Sequence, residues 1–195
     1  MTKHSFIFFS LLFFICAIAP CAGEAQEEKS PTTLIPFFQD GKWGYMDRLN
    51  VVVLKPEYDD AYEFSEGFAA VKIKGKWTFI QEGGVPLTRP QFDDVNDFVE
   101  GLAAVKVDNQ WGYVDRFGHL AVKPQYAWTW QFSEKLAVVK TPGENKWGYI
   151  DQRGNRVIQP RFDVATQFSH GLAAVAVGGK WGYVDPFGRM PIPFT

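Results

Sequence analysis

The residues best suited to chemistry in this chain of 195 recur at fixed intervals, and the recurrence limits what they can be. Asp47, Asp115, Asp151 and Asp185 each stand four residues after a tryptophan and three before a glycine or asparagine. A carboxylate so placed accepts N–H bonds from its own turn, and the glycine or asparagine supplies the left-handed residue of a bulged hairpin loop. These aspartates read as turn caps, not as acids or bases. Asp59, Asp93 and Asp163 repeat within Pro-x-aromatic-Asp and read as acceptors for local backbone donors. Periodic carboxylates along stacked repeats suggest calcium, but no Gly-Gly-x-Gly-x-Asp or EF-hand cluster gathers several oxygens, so no metal is assigned. His119 and His170 lie in no Ser, Asp or metal spacing. Ser65, Ser133 and Ser169 each follow a phenylalanine, which marks a turn position and not an activated nucleophile. Cys16 and Cys21 both fall within the first 25 residues, so the remainder has no thiol chemistry and no disulfide. No catalytic residue and no cofactor is expected, and the chain does not read as an enzyme.

One segment breaks the recurrence. Tyr126-Ala127-Trp128-Thr129-Trp130-Gln131 replaces the acidic pattern of Phe92-Asp93-Asp94-Val95-Asn96-Asp97, with Trp128 in the place of Asp94 and Trp130 in that of Asn96. Alternate residues of an extended segment face the same way, so the two rings can form one platform. Such platforms stack on sugar rings or anchor a protein partner. The alternative is that they fill a gap beside the insertion at 141–145. Tyr126, Trp128 and Trp130 are the candidate ligand or partner contacts.

The elements that must position these residues follow from the repeat. Tryptophans at Trp43, Trp77, Trp111, Trp147 and Trp181 are spaced by 34, 34, 36 and 34 residues, and Thr141-Pro142-Gly143-Glu144-Asn145 accounts for the longer interval. Prolines and glycines punctuate short runs of β-branched and aromatic residues, which is strand-and-turn chemistry and excludes a helical repeat of similar length. Each unit gives a strand A such as Phe68 to Ile73, a strand B carrying the Trp motif, and a brief strand C such as Arg156-Val157-Ile158 closed by proline. Two-residue turns at Asp40-Gly41, Lys74-Gly75, Asp108-Asn109 and Gly178-Gly179 join A to B. The turn at Lys74-Gly75 sets Lys72 opposite Trp77 and Ala70 opposite Phe79, with Ala69, Val71, Thr78 and Ile80 on the other face. Both faces are then largely apolar, and stacking of successive small sheets covers them. The motif lysines, with Lys72 and Lys106, read as stems packed over rings. The fold class is all-β: five three-stranded antiparallel units over 34–195 in an open twisted array, with a closed five-bladed, propeller-like ring as the alternative. Trp43, Trp77, Trp111, Trp147 and Trp181 are the structural motif.

The motifs Gly41-Lys42-Trp43-Gly44-Tyr45, Gln110-Trp111-Gly112-Tyr113-Val114-Asp115, Lys146-Trp147-Gly148-Tyr149-Ile150-Asp151 and Gly179-Lys180-Trp181-Gly182-Tyr183-Val184-Asp185 resemble the bacterial WG-repeat, or KWG-repeat, family. Pro90-Gln91-Phe92-Asp93 and Phe98-Val99-Glu100-Gly101-Leu102-Ala103-Ala104-Val105 extend the resemblance to the second half of the unit. It implies β-repeat modules and carries over no catalytic residue. The second unit departs from it, with Thr78 for the glycine and Gln81 for the aspartate.

Residues 1–25 read as a signal peptide: Lys3 in a short basic start, an apolar run from Phe6 to Ala19, and small residues around Ala22 to Ala25. Residues 26–33 are a polar linker. A net charge of −2 with interspersed signs points to no nucleic acid, and to a membrane only through an uncleaved N-terminal segment. The expected function is a non-catalytic exported scaffold, in the periplasm, at the cell envelope or secreted, that binds an unidentified protein partner. A carbohydrate or cell-wall binding module is the alternative.

Overall fold

Positive φ at both central residues of Asp40-Gly41, Lys74-Gly75, Asp108-Asn109 and Gly178-Gly179 folds each pair into the tight hairpin turn that its residue types favour. In a computed structural model these hairpins organise residues 34–195, the residues described; the signal peptide and linker expected over 1–33 lie outside them. The strands form five antiparallel sheets, none closed on itself. Sheet one holds β1 (Ile35–Gln39), β2 (Lys42–Met46) and β3 (Val52–Tyr58). Sheet two holds β4 (Asp60–Ala61), β5 (Phe68–Ile73) and β6 (Lys76–Gln81). Sheet three has four strands, β7 (Asp94–Val99), β8 (Leu102–Val107), β9 (Gln110–Asp115) and β10 (Leu120–Tyr126). Sheet four has β11 (Trp128–Thr129), β12 (Leu136–Lys140), β13 (Trp147–Asp151) and β14 (Arg156–Phe162), and sheet five has β15 (Val164–Ala165), β16 (Ala173–Val177) and β17 (Lys180–Val184).

The expected register holds: Lys72 pairs with Trp77 and Ala70 with Phe79. The two faces of β5–β6 enter different cores. Ala70, Trp77 and Phe79 pack with Phe98, Ala103 and Val105 of sheet three, whereas Ala69, Val71 and Ile80 pack with Tyr45 and Tyr58 of sheet one. The next two interfaces repeat the arrangement around Tyr113 and Tyr149. Three motif tyrosines send their hydroxyls across an interface: Tyr45 donates to Tyr62 O at 2.8 Å, Tyr113 to Trp130 O at 2.5 Å and Tyr149 to Thr166 O at 2.8 Å. Burial pushes all three phenols far above the usual tyrosine range.

Two features differ from the sequence reading. The first is a short strand ahead of strand A, additional to the three strands per unit expected from sequence. β4, β7, β11 and β15 pair with the strand that follows, through turns at Glu66-Gly67, Glu100-Gly101, Glu134-Lys135 and His170-Gly171, all at positive φ. The glutamates stitch neighbouring units: Glu66 accepts N–H bonds from Glu100 and Gly101, Glu100 from Lys135, and Glu134 from Gly171, at 2.8–2.9 Å.

The second is strand C, which runs through its proline. β3, β10 and β14 contain Pro56, Pro124 and Pro160, tolerated because these are edge strands with a register break beside the proline. That break lays the strand's backbone on the motif glycine. A Cβ on Gly112 would sit 2.4 Å from Val122 O and 2.6 Å from Pro124 N, and Gly44 and Gly148 face the same contact. Sheet two, where Thr78 replaces the glycine, has no third strand of this kind; the Thr78 hydroxyl donates to Thr88 O at 2.6 Å instead.

The turn aspartates cap as their spacing predicts; Asp115 Oδ1 accepts from the N–H groups of Phe117 and His119, both at 2.9 Å. Asp59, Asp93 and Asp163 are not local acceptors. They pair with the lysines of the preceding motif, Lys42, Lys76 and Lys146, and accept an N–H from the next hairpin turn at Gly75, Asp108 or Gly178. The motif lysines are therefore inter-sheet ties, while Lys72, Lys106 and Lys140 lie over tryptophans at 5.5, 5.8 and 5.5 Å.

Gly112→Ala is expected to cost roughly 1–3 kcal/mol in urea unfolding, because the new methyl meets backbone that cannot rotate away. The lysine hydrogen bond holds Asp59, Asp93 and Asp163 below the usual aspartate range. Their stabilisation is present above about pH 3.9 and lost as pH falls through the lowered values. A triple Asp→Asn variant should show a slightly shallower acid limb in Tm against pH; an unchanged limb would show that the pairs contribute nothing.

Candidate functional site

The broken repeat and the insertion meet in sheet four. A cleft of about 640 Å³ opens there, lined by Trp128, Trp130, Lys140, Thr141, Asn145 and Trp147. β11 presents Trp128, which pairs with Lys140 of β12, and Lys140 pairs in turn with Trp147 of β13. The row Trp128–Lys140–Trp147 thus runs straight across three strands, with Trp130 two residues along from Trp128 and its N–H bonded to Val138 O at 3.2 Å. The other wall is the insertion, where positive φ at Gly143 and Asn145 folds a longer loop than the two-residue turns of the other hairpins.

Both platform residues are accessible: Trp128 is 49% and Trp130 50% exposed. The rings are not loose. Trp128 lies 6.1 Å from the buried Trp111 ring, and the backbone carbonyl of Trp130 accepts the Tyr113 hydroxyl. In sheet two the residue equivalent to Trp130 is Tyr62, which closes on Trp77 at 4.9 Å and occupies that space. Tyr126, grouped with the two tryptophans from sequence, is buried at 2% exposure and packs in the core with Trp111 and Phe132. It lines no part of the cleft, because β10 ends there and turns before β11 begins.

Among the motif tryptophans, Trp77 and Trp111 are core residues, whereas Trp147 is half-buried and faces the cleft. Lys140 was not singled out from sequence, although the signal was present: the register that sets Lys72 against Trp77 sets Lys140 against Trp147. Asn145 and the loop add polar groups, and the Thr141 hydroxyl is buried without a hydrogen-bond partner among the described residues. Lys140 is the one charged lining residue.

The remaining chemistry-bearing residues lie elsewhere. His119 sits on an exposed turn with Nδ1 3.5 Å from Asp115 Oδ2, and His170 Nδ1 is 2.9 Å from Ser169 Oγ on another. Neither lines the cleft. Ser65 and Ser133 donate to the carbonyls of Phe98 and Phe168 in the next unit, at 2.7 and 2.8 Å. No group of three or more His, Cys, Asp or Glu side chains among the described residues is arranged to hold a metal ion. Among the same residues no helix is long and apolar enough to cross a membrane.

Comparison with solved structures returns propeller-like proteins. Kluyveromyces lactis Hsv2p is similar over 80% of this chain and 60% of its own, with 16% identity and a TM-score of 0.52, which shows a shared fold and no more. A streptogramin B lyase matches over 83% of this chain and 66% of its own, at 16% identity and a TM-score of 0.43. PorZ of Porphyromonas gingivalis matches over 85% of this chain and 27% of its own, at 12% identity and a TM-score of 0.44. The chain spans about 60% of the length of the Kluyveromyces lactis structures that it matches. No curated protein matches the sequence significantly. The model of the WG containing repeat matches residues 43–77, 77–111, 111–143 and 147–181, each interval starting at a motif tryptophan and the four together covering most of the described chain. The hairpin register, the backbone laid on the motif glycine and the stacked sheets are what this sequence pattern builds, and the chain belongs to the family of the WG containing repeat.

Proposed function

We propose that this protein is a non-catalytic, exported repeat scaffold that binds carbohydrate in the cleft of its fourth sheet. The observation that carries this reading is the half-exposure of Trp128 and Trp130 side by side in a formed cleft. In sheet two the equivalent site is closed: Trp77, the counterpart of Trp147, is 4% exposed, with the Tyr62 ring packed on it at 4.9 Å. An indole face held against buried neighbours offers apolar area at little entropic cost, and the loop beside it supplies hydrogen-bonding groups that orient a polar ligand. The leader-like first 25 residues support an extracytoplasmic site of action.

A second reading, the protein-interaction scaffold, draws on the fifth sheet. Trp181 is 49% and Tyr183 42% exposed, whereas Trp111 and Tyr113 are buried under the sheet that follows them. The surface fits a second copy of the chain that adds a covering sheet.

Protein recovered from the periplasmic or secreted fraction should show a saturable change in tryptophan fluorescence with soluble cell-wall or plant-wall oligosaccharides. Trp128→Ala and Trp130→Ala should each weaken binding roughly tenfold, about 1.4 kcal/mol, with little change in Tm. No response to a broad oligosaccharide panel would exclude the carbohydrate reading. For the second reading, sedimentation should reveal a dimer that Trp181→Ala/Tyr183→Ala dissociates; a monomer at every concentration would remove it.

A further inference from the structure

The row across sheet four differs from its counterparts in one position. In sheet two it reads Asp60–Lys72–Trp77, and in sheet three Asp94–Lys106–Trp111. In both, a carboxylate stands directly across the strand from the lysine, and the lysine lies over its tryptophan. Sheet four keeps the lysine and the tryptophan but puts Trp128 where the carboxylate stood. Lys140 therefore lies over Trp147 at 5.5 Å, has an indole on its other side, and faces no acidic residue in the cleft lining. The loop's other lysine, Lys146, is engaged by Asp163. In sheet five the row is Val164–Ala176–Trp181, so neither charge remains there.

Taking the carbohydrate reading as its basis, we propose that the cleft selects acidic glycans, a hexuronic-acid unit stacking on Trp128 and Trp130 while its carboxylate pairs with the Lys140 ammonium. The chemistry is complementary on each count. A pyranose ring presents an apolar C–H face to the indoles, and its carboxylate projects from the ring edge. The lysine supplies a positive charge whose cross-strand carboxylate, present in two of the other sheets, is replaced here by an indole. The flanking indoles lower local solvation, so a charge-assisted hydrogen bond formed there outweighs the same contact on an open surface.

The test compares a galacturonic-acid tetrasaccharide with the same tetrasaccharide after methyl esterification, which removes the charge and keeps the ring. By fluorescence titration at low salt the acid should bind about fivefold tighter than the ester, and the difference should shrink in about 0.5 M NaCl. Lys140→Met should bind acid and ester alike, whereas Lys140→Arg keeps the preference; far-UV and near-UV spectra confirm that both variants are folded. Equal binding of acid and ester by the unaltered protein, or a preference that survives Lys140→Met, would overturn the assignment while leaving carbohydrate binding intact. Failure of both ligands together with the neutral panel would bring down the carbohydrate reading and this one with it. Tighter binding of a sulfated tetrasaccharide than of the uronate would show that Lys140 reads charge and not a carboxylate.

Discussion

A sheet of three or four short strands with two apolar faces has no stable existence alone, and most of this molecule follows from that constraint. Ala70 and Phe79 need one neighbour and Val71 and Ile80 another, so each interior sheet is shared between two cores. Small residues on strand A give the rings of the adjacent sheet somewhere to settle, and the tyrosine hydroxyls that reach the interface find a carbonyl in the next unit. Burial without those acceptors would cost each hydroxyl on the order of 1–3 kcal/mol. The sheets are held in line as well as held together, since a shift of one residue along an interface would leave those hydroxyls unmatched.

The glycine after each tryptophan belongs to the same logic. Two-sided covering requires a thin sheet edge, and strand C achieves it by bending its backbone onto Gly44, Gly112 and Gly148 at the site of a proline. Proline has no N–H to lose there, and glycine has no side chain to obstruct. Sheet two shows the arrangement from its exception: Thr78 fills the space with a methyl and a hydroxyl, and the chain passes through 82–93 without a regular third strand.

Much of this was legible in the residues. The period, the positive-φ turns and the pairing of Lys72 with Trp77 all follow from local rules, because a two-residue turn fixes everything beside it. What escaped was long-range. Asp93 looks like one more turn acceptor until the fold brings Lys76 from the preceding motif and the Asp108 N–H from the following hairpin to its two oxygens. The strand β7 is not foreseen from sequence because its partner lies beyond a Glu-Gly turn that the Trp motif overshadows. Trp128 and Trp130 could be picked out only as departures from the repeat; that they stand apart from the buried Tyr126 depends on how β10 turns into β11. Lys140 escaped notice because it obeys the repeat, and what distinguishes it is the identity of its neighbour across the strand.

The glutamates of the short turns give the stack a property that none of the sheets has alone. Each carboxylate reaches forward to the backbone of the following unit, from Glu66 to Gly101, from Glu100 to Lys135 and from Glu134 to Gly171. None reaches back. At the corresponding place in the fifth unit stands His170, whose ring turns to its own Ser169. The contacts therefore form a one-way relay, and the units are not interchangeable beads: among the described residues the third and fourth units both receive and give, while the fifth receives from Glu134 and carries His170 in place of a glutamate. A series with that polarity has a direction of its own: exchanging two of its units would leave each glutamate facing a backbone other than the one it now reaches.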